Sequence, residues 1–176
     1  MKHTVSVDLS EKGIDRLIKK LDEYERWLKR KSDALAARLA ALGATSASIG
    51  FASALYDGDR NVQISVERRG DSQYAVMANG ESVLFIEFGA GITMADTVHP
   101  EAAEKGMGPG TWPDKHYSVN SGGERVANWE NDLGWYLPKE KGGGHTYGNP
   151  ANMPMYFSVR NLEQEIARIV REVFSD

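Results

Sequence analysis

The chain has 176 residues, 41% hydrophobic and 26% charged, enough for one globular domain with its own core. Its formal net charge of −4 argues against a general nucleic-acid binder, which gains affinity from a basic field and counterion release. With no cysteine, disulfides, thiol nucleophiles and cysteine-ligated zinc are excluded.

The start, Met1-Lys2-His3-Thr4-Val5, lacks the apolar core of a signal peptide. No stretch reads as long and apolar enough to span a membrane, so the expectation is a soluble chain made in the cytoplasm. Residues 3–9 alternate, with Val5, Val7 and Leu9 on one side, which predicts a short strand. Ser10 then stands where a side-chain oxygen can cap a helix. Ile14, Leu17, Ile18, Leu21, Tyr24, Leu28, Leu35, Leu39 and Leu42 follow at helical spacing over an arc of about 120°, the width of a core-facing stripe. Trp27 lies off this stripe and reads either as a contact with another subunit or as packing under a loop. Lys29-Arg30-Lys31 and Arg68-Arg69 read as solvated surface.

The clean helical pattern ends at Gly43, and residues 44–60 read as a loose connection with a turn at Asp57-Gly58. Asp57, Asp59 and Asn61 faintly resemble a calcium loop, but the closing glutamate is missing and turn chemistry explains them. Residues 61–67 alternate as a strand, Gly70-Asp71-Ser72 turns, and Tyr74–Ala78 forms a second strand. Asn79-Gly80 suits a tight hairpin turn. Val83-Leu84-Phe85-Ile86 is then either a third strand or a short buried helix, since so short an apolar run has no decisive period.

Residues 89–150 are rich in Gly, Pro, Asn and Trp with little periodicity, and read as a long surface excursion. Structure resumes at Asn152, a helix-capping residue, with Pro154 tolerated in the first turn. Met155, Val159, Leu162, Ile166, Ile169, Val170 and Val173 make a second amphipathic helix. One domain, 1–176, accounts for the whole chain.

Catalytic signatures are sparse. There is no phosphate-binding Gly-x-x-x-x-Gly-Lys loop, no Gly-x-Ser-x-Gly elbow and no His-Glu-x-x-His. His3, His99, His116 and His145 have no metal-ligand spacing, though a zinc site assembled from the loop histidines is one enzymatic alternative. Glu87, set among apolar residues, is the acid best placed for a raised pKa, and with Trp112, Trp129 and Trp135 it suggests a cell-wall hydrolase as the rival reading. The structural reading makes Glu87 a fixed acceptor orienting the turn at Gly89-Ala90-Gly91, and the tryptophans protein-contact anchors.

The run Val83-Leu84-Phe85-Ile86-Glu87-Phe88-Gly89-Ala90-Gly91 resembles the central motif of a family of phage tail-completion or head–tail joining proteins. His99-Pro100, Gly134-Trp135-Tyr136 and the run from His145-Thr146-Tyr147-Gly148 to Met155-Tyr156 resemble later features of that family in the same order, and Tyr56-Asp57-Gly58-Asp59 precedes them. The resemblance implies an α+β fold, with a long helix, an antiparallel sheet and a C-terminal helix. It implies a structural virion component of the tail or neck, with neighbouring tail or neck proteins and copies of itself as partners, as in the rings that related neck proteins form. It brings no catalytic residue and no cofactor. Trp27, Glu87, Trp112, Trp129, Trp135 and Tyr147 are the candidate structural or interface residues.

Overall fold

The computed structural model describes residues 8, 10–92, 98–108, 116–141 and 143–175. The expected strand over residues 3–9 and Trp112 lie outside them. Ser10 caps the first helix as expected, its hydroxyl accepting from the Gly13 N–H at 3.1 Å. That helix, α1, runs over Glu11–Ser53, 43 residues, well past the expected end at Gly43. The small residues read as a loose connection are the reason. Ala40, Gly43 and Ala47 are buried at helical spacing, and a Cβ on Gly43 would stand 3.2 Å from Leu162. Small side chains there let another helix approach closely. By length and composition α1 is apolar enough to cross a membrane, contrary to the expectation from sequence; in this fold its Ala/Gly half packs against α4.

Strands β1 (Gln63–Gly70) and β2 (Gln73–Asn79) form the expected antiparallel hairpin, with Val66 opposite Val76. Asp33 ties it to α1, accepting from Arg68 at 2.9 Å, the Ser72 N–H at 3.2 Å and the Tyr74 hydroxyl at 3.3 Å. Asn79-Gly80 does not turn into a third strand. The chain enters a short helix, α2 (Val83–Phe88), which decides the open choice for that segment.

The region 89–150 is more structured than its composition suggests. It holds α3 (Ala102–Lys105), a hairpin of β3 (Tyr117–Val119) and β4 (Arg125–Ala127), and a pair formed by β5 (Trp135–Tyr136) and β6 (His145–Thr146). It also supplies Ala90, Ala102, Ala127 and Trp129 to a buried cluster around Phe88. The last helix, α4 (Pro154–Phe174), runs antiparallel along the second half of α1. The Ser158 hydroxyl donates to the Gly43 carbonyl at 2.8 Å, and Arg38 pairs with Glu172 near the other end. Long and C-terminal helices with small antiparallel sheets make the expected α+β class.

Two clusters form the core. Phe51, Ala54 and Ile86 make one, with Val62, Ile64 and Met155 against it; Phe88, Ala90, Ala102, Ala127 and Trp129 make the other. α2 joins them, placing Ile86 in the first and Phe88 in the second.

Candidate functional site

Because Ile86 and Phe88 point into opposite clusters, Glu87 between them is carried toward α4. It is buried, at 5% exposure. Its Oε2 accepts from the Met155 N–H at 2.8 Å and its Oε1 from the Tyr156 N–H at 2.9 Å. These are first-turn amides of α4, which have no partner inside their own helix. A carboxylate there also meets the positive end of the helix dipole. Glu87 is thus an N-terminal cap delivered from another helix.

The fourth member is His99. Its Nδ1 accepts from the Glu101 N–H at 3.0 Å, so the ring proton sits on Nε2 and is donated to Glu87 Oε1 at 3.1 Å. The imidazole is 3% exposed and lies between the rings of Phe88 and Tyr156, with centroids at 4.5 and 5.1 Å. Both carboxylate oxygens are therefore engaged, and Glu87 is not among the residues lining the large cleft described below. Nearby Glu101 is held below the ordinary carboxylate range by its hydrogen bond and charge pairing with Lys105 at 2.8 Å.

Two sequence expectations are corrected here. Asn152 does not cap α4; Met153 holds the cap position, with φ 56° and no side-chain bond. Asn152 instead grips Leu55 at the end of α1, accepting from its N–H at 2.7 Å and donating to its carbonyl at 3.1 Å. Glu87 does not orient the Gly89-Ala90-Gly91 turn. That turn is held by backbone: Ala90 and Asn149 exchange N–H to carbonyl bonds of 3.0 and 2.9 Å. The two segments approach so closely that a Cβ on Gly148 (φ 96°) would lie 1.9 Å from the Ala90 carbonyl oxygen.

The other candidates scatter. Trp129 is a core residue, and Trp135 packs half-buried against the same cluster. Trp27 is half-buried, stacked on Tyr24 at 5.5 Å and edge-on to Phe174 at 5.7 Å. Tyr147 is exposed and meets His145 edge-on, as Tyr136 also does. Among the described residues no three His, Asp or Glu side chains are grouped to hold a metal ion.

Two features differ from what the sequence led one to expect. The first is a cleft of about 790 Å³ beyond the C-terminal end of α1. Asp57, Asp59, Glu81 and Glu140 line it, with Phe85 and Trp135 among its apolar walls. The second is the first half of α1. From Glu11 to Arg30 only Gly13 is buried, and Leu17 and Trp27 are half-buried. Ile14, Ile18, Leu21, Tyr24 and Leu28, expected to face a core, are exposed, Leu21 at 54%. The apolar spacing is helical as expected, but the side chains on this face are exposed.

No family model, curated protein or solved structure matches the chain.

Proposed function

We propose that the protein is a structural assembly component with no catalytic role, a part of a phage tail or head–tail connector that works by binding copies of itself and neighbouring tail or neck proteins in the virion. The observation that carries the assembly role is the exposed stripe from Ile14 to Leu28. An amphipathic helix that leaves its apolar face exposed gains stability when that face is covered. The phage setting rests on the ordered resemblance around Val83–Gly91, His99-Pro100 and His145–Tyr156.

Two further observations support a structural role. Glu87, the acid most suited to catalysis by its sequence surroundings, has both oxygens committed to α4 and His99. Trp129, though it borders the cleft, is a buried core residue that exposes little ring face for a sugar to stack on. The rival, a tail-carried cell-wall hydrolase, draws on the carboxylates and Trp135 of the cleft. A turbidity assay on purified peptidoglycan separates the two: clearing that Asp59→Asn or Glu140→Gln abolishes would replace the structural reading.

The direct test is sedimentation velocity over a wide concentration range. Concentration-dependent association that Leu21→Asp weakens is the expected result. A strictly monomeric protein, with virions assembling normally after deletion of its gene, would overturn the proposal.

A further inference from the structure

The first half of α1 and the cleft are chemically complementary. Residues 11–31 carry eight Lys or Arg against five Asp or Glu, a net charge of +3. The whole chain carries −4, so the remainder carries −7. Lys20 and Lys31 stand four residues before and seven after Tyr24, and so border the apolar stripe on one flank. The cleft has the opposite character. Four carboxylates line it, with no Lys or Arg among its described lining residues, and the neighbouring Arg60 turns its guanidinium to the Ala52 carbonyl at 3.2 Å. Its walls are apolar where Phe85 and Trp135 stand.

The two surfaces lie at opposite ends of one helix. The cleft begins at Tyr56, three residues past the end of α1, while the stripe is centred on Leu21. The 32 residues between Leu21 and Ser53 span roughly 50 Å of continuous helix. A chain therefore cannot fill its own cleft. Building on the assembly reading above, we propose that the cationic apolar stripe of α1 docks into the acidic, aromatic-walled cleft of a second copy, a head-to-tail contact in which each chain gives one surface and receives the other. Such a heterologous contact propagates from copy to copy until rotation closes it. Opposite potentials steer the two surfaces together, and the apolar contact holds them.

Complementation of two crippled variants tests this. A donor variant, Ile18→Asp with Leu21→Asp, loses the stripe and keeps the cleft. An acceptor variant, Asp59→Lys with Glu140→Lys, keeps the stripe and loses the rim charge. All four positions are exposed, and circular dichroism melts check that both variants fold. If a donor variant is misfolded, Lys20→Glu with Lys31→Glu replaces it. Each variant alone should self-associate at least about tenfold more weakly than the natural sequence. Their equimolar mixture should form a 1:1 complex that grows no further, because only one usable pair of surfaces remains. An acceptor variant that still associates as tightly as the natural sequence would overturn the proposal and leave the assembly reading standing, with the stripe pairing on itself or elsewhere. A natural sequence that stays monomeric overturns both.

Discussion

The imidazole of His99 and the carboxylate of Glu87 lie 3.1 Å apart, both almost fully buried, and the histidine donates. The pair links α2 to the chain just before α3, while the same carboxylate holds the first turn of α4. One acidic side chain thus fastens three segments far apart in sequence, and most of what can be tested about the fold passes through it.

Glu87→Gln should destabilise the protein by about 1–3 kcal/mol, because the amide offers one acceptor oxygen where the carboxylate offers two, and loses the charge that favours a helix N-terminus. Glu87→Ala should cost more, since it leaves three buried donors without partners. Urea titration of both variants measures this, and a neutral Glu87→Gln would show that the cap is energetically idle.

His99→Phe keeps the ring packing against Phe88 and Tyr156 but removes both hydrogen bonds of the imidazole. A loss of roughly 1–3 kcal/mol is expected from the stranded Glu101 N–H and the weakened carboxylate. If Glu87 and His99 act as one unit, the double variant should lose less than the sum of the two singles, which a double-mutant cycle reads directly.

Gly148→Ala should be among the most disruptive single-methyl additions. The site has positive φ, and the new Cβ would overlap the Ala90 carbonyl oxygen. The bridge to Asn149 would have to open, with a loss exceeding about 2 kcal/mol. Thermal melts compared with Gly123→Ala, another positive-φ glycine but with open space around it, separate the steric clash from the backbone strain.

Trp129→Ala should cost about 3–5 kcal/mol as a core truncation, whereas Leu21→Asp should change stability of the isolated chain by about 0.5 kcal/mol or less. The reverse ranking holds for self-association, where Leu21→Asp is the damaging change. Measuring melting and sedimentation on the same two proteins distinguishes core from interface.

Acidification should loosen the tie between α1 and α4. The Glu172 carboxyl is held below its ordinary range, first by its hydrogen bond with Arg168 and also by the charges of Arg168 and Arg38. A group depressed in the folded state stabilises above its unfolded pKa and loses that contribution as pH falls through the folded one. The pair is exposed, so the effect should be small and should shrink with added salt. Melting curves of the natural sequence and Arg38→Gln, taken down through the carboxylate range, should converge at low pH.

Much was legible in the sequence because it depends on local geometry. The Ser10 cap, the hairpin from Gln63 to Asn79 and the spacing of α1 and α4 follow from periodicity and capping, which act over a few residues. What the spacing could not say is what each apolar face meets. Residues 44–53 looked like a connection because Ala, Gly and Ser carry no hydrophobic signal, yet their smallness lets α4 lie close, with Pro154 against Gly50 and the Asn161 amide donating to Ser46. Ile14 to Leu28 looked like a core face and is largely exposed, because the same stripe serves an interior or an interface equally well. Glu87 stood out as an acid among apolar residues, but its partners lie 12, 68 and 69 residues away. A buried carboxylate must find donors, and that necessity was readable from the chain; which donors it found was decided when α4 and His99 were folded against it.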